Sequence, residues 1–152
     1  MTEPMPTLPI GTVGFDGPRK KTYTKLDAVE VPDTFRGVPG APLLAKMRRQ
    51  AGPDFTFVLR GPLVLTQPAD AGKKRPKLSY LPEDTWPEAP FDTGELGRAA
   101  WGFLTEACAA IGARGVLLQT SHQFRPTAAN RRRMSAFFEQ VAAQRPARVL
   151  WD

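Results

Sequence analysis

Residues 27–35 read Asp27-Ala28-Val29-Glu30-Val31-Pro32-Asp33-Thr34-Phe35. Ala28, Val29 and Val31 give this stretch the apolar, β-branched character of a short buried strand. Glu30 interrupts the run. Pro32 closes it, because proline has no N–H to give to a sheet ladder. A strand that ends by presenting an acid, then breaks into a loop carrying Asp33 and Thr34, has the form of a strand at the mouth of a parallel barrel. An ordinary strand followed by a polar turn reads the same way, so the flanking sequence has to decide.

Upstream, residues 10–15 form a short strand whose glycine spacing is not a dinucleotide fingerprint, and no phosphate-loop lysine follows. Asp16-Gly17-Pro18 turns the chain, and Arg19, Lys20 and Lys21 read as a solvated basic run, a weak crossover. Downstream, residues 39–51 read as a helix with Pro42 in its first turn and Gly52-Pro53 at its end. Leu43, Leu44, Met47 and Ala51 fall on its inner face, with Lys46, Arg48 and Arg49 outward. Residues 55–59 form a buried strand that ends at Arg60 and is broken by Gly61-Pro62. Leu63-Val64-Leu65 either prolongs that strand or belongs to the loop.

Residues 67–92 are a long proline-rich loop within the domain, carrying a basic cluster at Lys73, Lys74, Arg75 and Lys77. Tyr80 and Trp86 interleave with positive charge there, an arrangement suited to stacking on nucleic-acid bases. A loop that pins its own aromatics to the protein surface fits the same residues. Asp92 and Glu95 have capping-box spacing for a second helix, with an apolar stripe through Leu96, Ala100, Phe103, Leu104, Ala107 and Ile111. Gly112 closes it, and residues 115–119 form a strand ending on Gln119. The loop at residues 120–125 holds His122, the single histidine. Thr127 caps a third helix through residue 144, with Met134, Phe137, Phe138 and Val141 inward. Residues 148–152 begin a further strand.

The totals bound what this pattern can be. A length of 152 residues suits one domain, residues 1–152, with a core of its own. A net charge of +6 raises the expectation of an anionic partner, nucleic acid or another polyanion, bound through Lys73 to Lys77 and Arg131 to Arg133. Those three consecutive arginines fan around their helix, so they cannot all face one ligand. One cysteine, Cys108, excludes an internal disulfide and a cysteine-rich zinc site, and fits a reducing, cytoplasmic setting. The amino-terminal stretch lacks the apolar core of a secretory signal, and no window reaches the length of a membrane span.

Strands alternating with helices predict a parallel α/β sheet. In this order the residues resemble the domain of unknown function family 72 (YecE-like), barrels of the TIM type. Residues 10–15 resemble its first strand, Ala28-Val29-Glu30-Val31 through Thr34-Phe35 its second, and Asp54-Phe55-Thr56-Phe57 to Pro62, with Leu65-Thr66, its third. Residues 115–119 resemble the fourth strand, and Val149-Leu150-Trp151 the opening of the fifth. Several strand ends depart from the family: Val13-Gly14-Phe15 for Ser-Gly-Trp, Pro32-Asp33 for Asn-Ser, Arg36 for tyrosine and Arg60-Gly61-Pro62 for Lys-Ala-Pro. So do Gln67 for histidine, Thr120-Ser121 for Leu-Pro and Asp152 for glutamate. The resemblance therefore implies a divergent, uncharacterised member.

A closed barrel of this type has eight strands. Five strands predict a partial (β/α) barrel truncated at the fifth, whether as a fragment or as half of a split protein. An independent small open sheet is the alternative. Open edges lead to the expectation of self-association, or of a partner chain that completes the barrel. A strand-end site would comprise Glu30 as general base or metal ligand, Arg60 as anion clamp and Gln119 as hydrogen-bond donor. Thr34, His122, Lys73, Lys74 and Arg75 are the candidate ligand-binding residues. These residues fall short of a metal signature, and they name neither cofactor nor reaction. The competing structural reading has Glu30 pair with Arg60 and hold the sheet together.

Overall fold

The five strands lie side by side in the order in which the chain makes them. A computed structural model describes residues 9–37, 39–67, 77–83 and 85–152. Its elements are β1 (Gly11–Val13), α1 (Arg19–Lys25), β2 (Ala28–Val31), a 3-10 turn (Pro32–Arg36), α2 (Ala41–Ala51), β3 (Thr56–Arg60) and α3 (Leu63–Thr66). There follow α4 (Glu95–Ile111), β4 (Gly115–Leu118), α5 (Ala128–Val141), a second 3-10 turn (Ala142–Gln144) and β5 (Arg148–Trp151). All four neighbouring pairs are parallel, in the sheet order β1-β2-β3-β4-β5. Sequential order distinguishes a barrel-like winding from a doubly wound sheet, whose order reverses at a switch point.

Crossovers of one hand put successive helices on one face of such a sheet. That face carries Val29 and Val31, Phe57 and Leu59, and Val116 and Leu118, each buried. They join Leu44, Met47, Leu104, Ile111 and Phe137 in one hydrophobic cluster. Residues of the opposite parity, Ala28 and Glu30, Val58 and Arg60, Leu117 and Leu150, point to the other face. No helix covers that face among the described residues. Ile10, Val13, Leu150 and Trp151, on or beside the edge strands, are 67%, 61%, 45% and 56% exposed. The apolar surface left open is therefore concentrated at the two edges. Among the described residues, no helix is long and apolar enough to cross a membrane.

Several expectations are corrected. The basic run after Pro18 is a seven-residue helix, α1, because Thr22 and Tyr23 turn inward. Tyr23 packs edge-on against Phe55 and Phe57 at 5.1 and 6.1 Å. Leu63-Val64-Leu65 forms a helical turn, not strand, because β3 ends at Arg60 and Pro62 leads directly into α3. Leu43 lies toward solvent, 36% exposed, while Leu44 and Met47 are buried. Asp92 caps α4 from two residues ahead of the cap position. Gly94 is the cap residue, yet Asp92 Oδ2 accepts the Gly97 N–H at 3.0 Å. A Cβ on Gly97 would lie 1.9 Å from the Asp92 carbonyl oxygen, so only glycine admits this entry.

Of the two readings of the proline-rich loop, Tyr80 follows the one in which the loop pins its own aromatics to the protein. Its ring stacks on Phe103 at 4.5 Å, so it is covered by the protein's own aromatic and offers no platform to a base. Burial raises the Tyr80 phenol well above its ordinary range. Phe91 ends the loop in the core, against Phe124, Phe137 and Phe138.

Arg48, expected to face outward, instead gathers main-chain carbonyls. Its Nε donates to Ile111 O at 2.6 Å, and Nη1 donates to Gly52 O and Phe55 O at 2.7 and 2.9 Å. The guanidinium also lies over the Phe57 ring, 4.6 Å from its centroid. One cation thus joins the carboxyl ends of α2 and α4, where carbonyls lack helical partners, to the entry of β3. Desolvation, then the nearby Arg114, lowers its pKa.

Replacing Arg48 with methionine keeps the stem and orphans these carbonyls. The expected cost is about 3 kcal/mol in urea unfolding, against less than about 0.5 kcal/mol for Arg49→Met on the exposed side. Equal costs for the two variants would contradict the role given to Arg48. Burial also pushes the Cys108 thiol up from 9.0 to about 12. The unfolded chain then loses its thiol proton first, so stability present below pH 9 is lost as pH rises toward 12. Unfolding midpoints should fall from pH 9 upward, and Cys108→Ala should flatten the first part of that fall, before the tyrosines of the unfolded chain titrate.

Candidate functional site

The carboxyl ends of β2, β3 and β4 carry the polar groups singled out in the sequence. Glu30 is the third residue of β2 and Arg60 the last of β3, and both lie on the face that the helices leave uncovered. Arg60 Nε and Nη2 both donate to Glu30 Oε1, at 2.7 and 2.6 Å. The side chains are 22% exposed for Arg60 and 14% for Glu30, so the pair is largely withdrawn from water. Both bonds converge on one oxygen. Among the described residues, no hydrogen bond engages Glu30 Oε2 or Arg60 Nη1, which leaves the pair one acceptor oxygen and one donor nitrogen.

Thr34 is wholly buried in the 3-10 turn after β2. Its Oγ1 lies 2.7 Å from Arg60 O and 2.9 Å from Val31 O, so its single proton is shared between two main-chain carbonyls. This hydroxyl ties the β2 turn to the end of β3. Gly61 continues the pairing, donating its N–H to Leu117 O at 2.8 Å. A Cβ there would lie 2.3 Å from Leu118 Cδ2, so any larger residue at 61 would have to displace the buried Leu118 side chain.

Gln119 enters through its main chain, with Gln67 Nε2 donating to Gln119 O at 3.0 Å. Gln67 was visible in the sequence only as a departure from the family's histidine. Its position just after α3 brings it back across the strand ends. Next to it, Thr66 is fully buried, and among the described residues its Oγ1 has no hydrogen-bond partner. His122 stands exposed in the loop after β4, and no bond joins it to Glu30 or Arg60. Lys73, Lys74 and Arg75 lie outside the described residues. Among the described residues, no three His, Cys, Asp or Glu side chains come together as a metal-holding group.

No family model matches the chain, and no curated protein matches it. Two crystal structures of a DUF72 family protein from Enterococcus faecalis V583 are similar in fold. The structure at 2.52 Å resolution aligns with a TM-score of 0.63 and 14% identity, over 94% of this chain and 50% of that one. The structure at 3.10 Å gives 0.64 and 14%, over 94% and 49%. The chain spans about half the length of the solved structures it resembles.

The Glu30–Arg60 pair yields a test by double-mutant cycle. Arg60→Met leaves a withdrawn carboxylate without its cation and should cost about 2–3 kcal/mol in urea unfolding. Adding Glu30→Gln should return part of this, a coupling of about 1–2 kcal/mol. Strict additivity would show that the pair does not hold β2 to β3.

Proposed function

We propose that this chain is a divergent five-strand part of a DUF72-type TIM barrel, and that its strand ends bind a small ligand carrying an oxyanion. The observation that carries the reading is the one-sided Glu30–Arg60 pair at the carboxyl ends of β2 and β3. Barrels of this winding put their ligands at that end. Glu30 acts as the counter-ion that fixes the Arg60 rotamer, in place of the general-base role, and Arg60 Nη1 is the anion-facing donor. Thr34 positions Arg60 through its carbonyl, and Gln67 fixes the main chain at Gln119. A free, buried Cys108 suits a reducing, cytoplasmic setting.

The polyanion reading ranks second. Its support is the exposure of Arg131, Arg132 and Arg133 along α5. Tyr80, stacked on Phe103, adds nothing to it.

Inorganic phosphate, followed by the side-chain Nε resonances of arginine, separates the two readings. The strand-end reading expects saturable binding in about the millimolar range, because Glu30 competes with the ligand for the same guanidinium. Arg60→Met should abolish it, and Glu30→Gln should tighten it several-fold. Equal phosphate binding in the wild type and Arg60→Met, with loss only when Arg131 to Arg133 are replaced, would favour the polyanion reading.

A further inference from the structure

A second polar recess lies in the helix layer, on the side of the sheet away from Arg60. A cleft of about 380 Å³ opens between α1 and α2, lined by Arg19, Lys20 and Tyr23 of the first helix and Gln50 of the second. Positions 19, 20 and 23 fall within about a third of a helical turn, so one face of α1 presents two cations and a phenol to the cleft. Tyr23 packs on Phe57, whose side chain is buried on the helix-covered face, so the sheet stands between this cleft and the Glu30–Arg60 pair.

The Tyr23 ring meets Phe15, Phe55 and Phe57 edge-on at 5.8, 5.1 and 6.1 Å, and these three rings set the direction of its hydroxyl. That hydroxyl is withdrawn from water, and among the described residues it has no hydrogen-bond partner. The Arg19 guanidinium lies over the Phe15 ring, 5.6 Å from its centroid. Among the described residues, neither Arg19 nor Lys20 belongs to an ion pair. No carboxylate lines the cleft. Lys20 and Gln50 are exposed, and among the described residues no hydrogen bond holds either side chain in place.

The cleft thus carries two deficits. A buried phenol without a partner is costly, and two neighbouring cations lack a counter-charge. One oxyanion relieves both, because its oxygens accept from the guanidinium, the ammonium and the phenol together. A recess of this volume is of the size that holds a whole small molecule, and the Tyr23 ring gives the uncharged part of that molecule a wall to lie against.

We propose that the α1–α2 cleft binds a small phosphate ester of about the size of a sugar phosphate. Arg19 and Lys20 hold the phosphate, and the Tyr23 hydroxyl is its third donor, reached as the Lys20 and Gln50 side chains swing aside. This site is independent of the strand-end reading.

The test is a titration of the 152-residue chain with ribose 5-phosphate at physiological ionic strength, where loose surface binding is screened. The Arg19 Nε and Tyr23 ring resonances should move together and saturate in about the 0.1–1 mM range. Ribose should shift neither, and inorganic phosphate should bind at least about fivefold more weakly. Arg60 reports the strand ends through its own resonance, so either site can fail without the other. Arg19→Met should weaken binding about tenfold. Lys25→Met removes the same charge from the opposite face of α1 and should change affinity less than about twofold. Tyr23→Phe should weaken binding several-fold yet, without ligand, melt no lower than the wild type, because the hydroxyl it loses had no partner. Equal losses in Arg19→Met and Lys25→Met, a Tyr23→Phe chain with unchanged affinity or a lower melting point, or no saturable shift at Arg19 would each overturn the proposal.

Discussion

One guanidinium fixes the frame on which the strand ends are mounted. Arg48 draws the carbonyls of Ile111, Gly52 and Phe55 to a single cation and rests on the Phe57 ring. These groups belong to the end of α4, the end of α2 and the entry of β3. Their convergence sets where β3 begins relative to the helices that cover it. At the far end of β3, Arg60 bonds Glu30 of β2. The central strand is thus held by an arginine near each end, one satisfied by carbonyls on the helix side and one by a carboxylate on the open side. Between them Phe57 and Leu59 anchor it in the core.

The consequence for function is a division between the two faces of the sheet. The helix-covered face is closed and apolar. The other face carries the ion pair, Val58, Leu117 and Leu150, and ends at two edges rich in exposed apolar side chains. A withdrawn ion pair contributes little net stability compared with a hydrophobic replacement, but removing one partner is costly. The solved DUF72 family structures share this fold over about half of their own length.

Much of this was legible in the sequence. Strand positions followed from short β-branched runs bounded by Gly and Pro, and the alternation with helices gave the parallel sheet. The Glu30–Arg60 contact followed from two charges of opposite sign on neighbouring strand ends. The errors have physical sources. Arg48 has the helical position of a surface residue, and nothing local reveals that the end of α4, 63 residues away in the sequence, reaches it. In α1 the cations masked Thr22 and Tyr23, whose inward direction depends on Phe55 and Phe57. Tyr80 could be read either way because its stacking partner, Phe103, lies in a helix more than twenty residues further along the chain. Thr34 offered a hydroxyl to a ligand in the sequence, but the 3-10 turn folds that hydroxyl back onto main chain.

The central claim is that β3 is the innermost of five sequentially ordered parallel strands, clamped at both ends, in a sheet with an open face. Amide hydrogen exchange measured residue by residue tests this most directly. The account predicts the slowest exchange in β3 and its neighbours β2 and β4, at Val29, Phe57, Leu59 and Val116, and fast exchange in β1. In Arg48→Met, protection should fall first at the β3 entry and at the end of α4. Uniform protection across all five strands, or β3 exchanging as fast as β1, would contradict it.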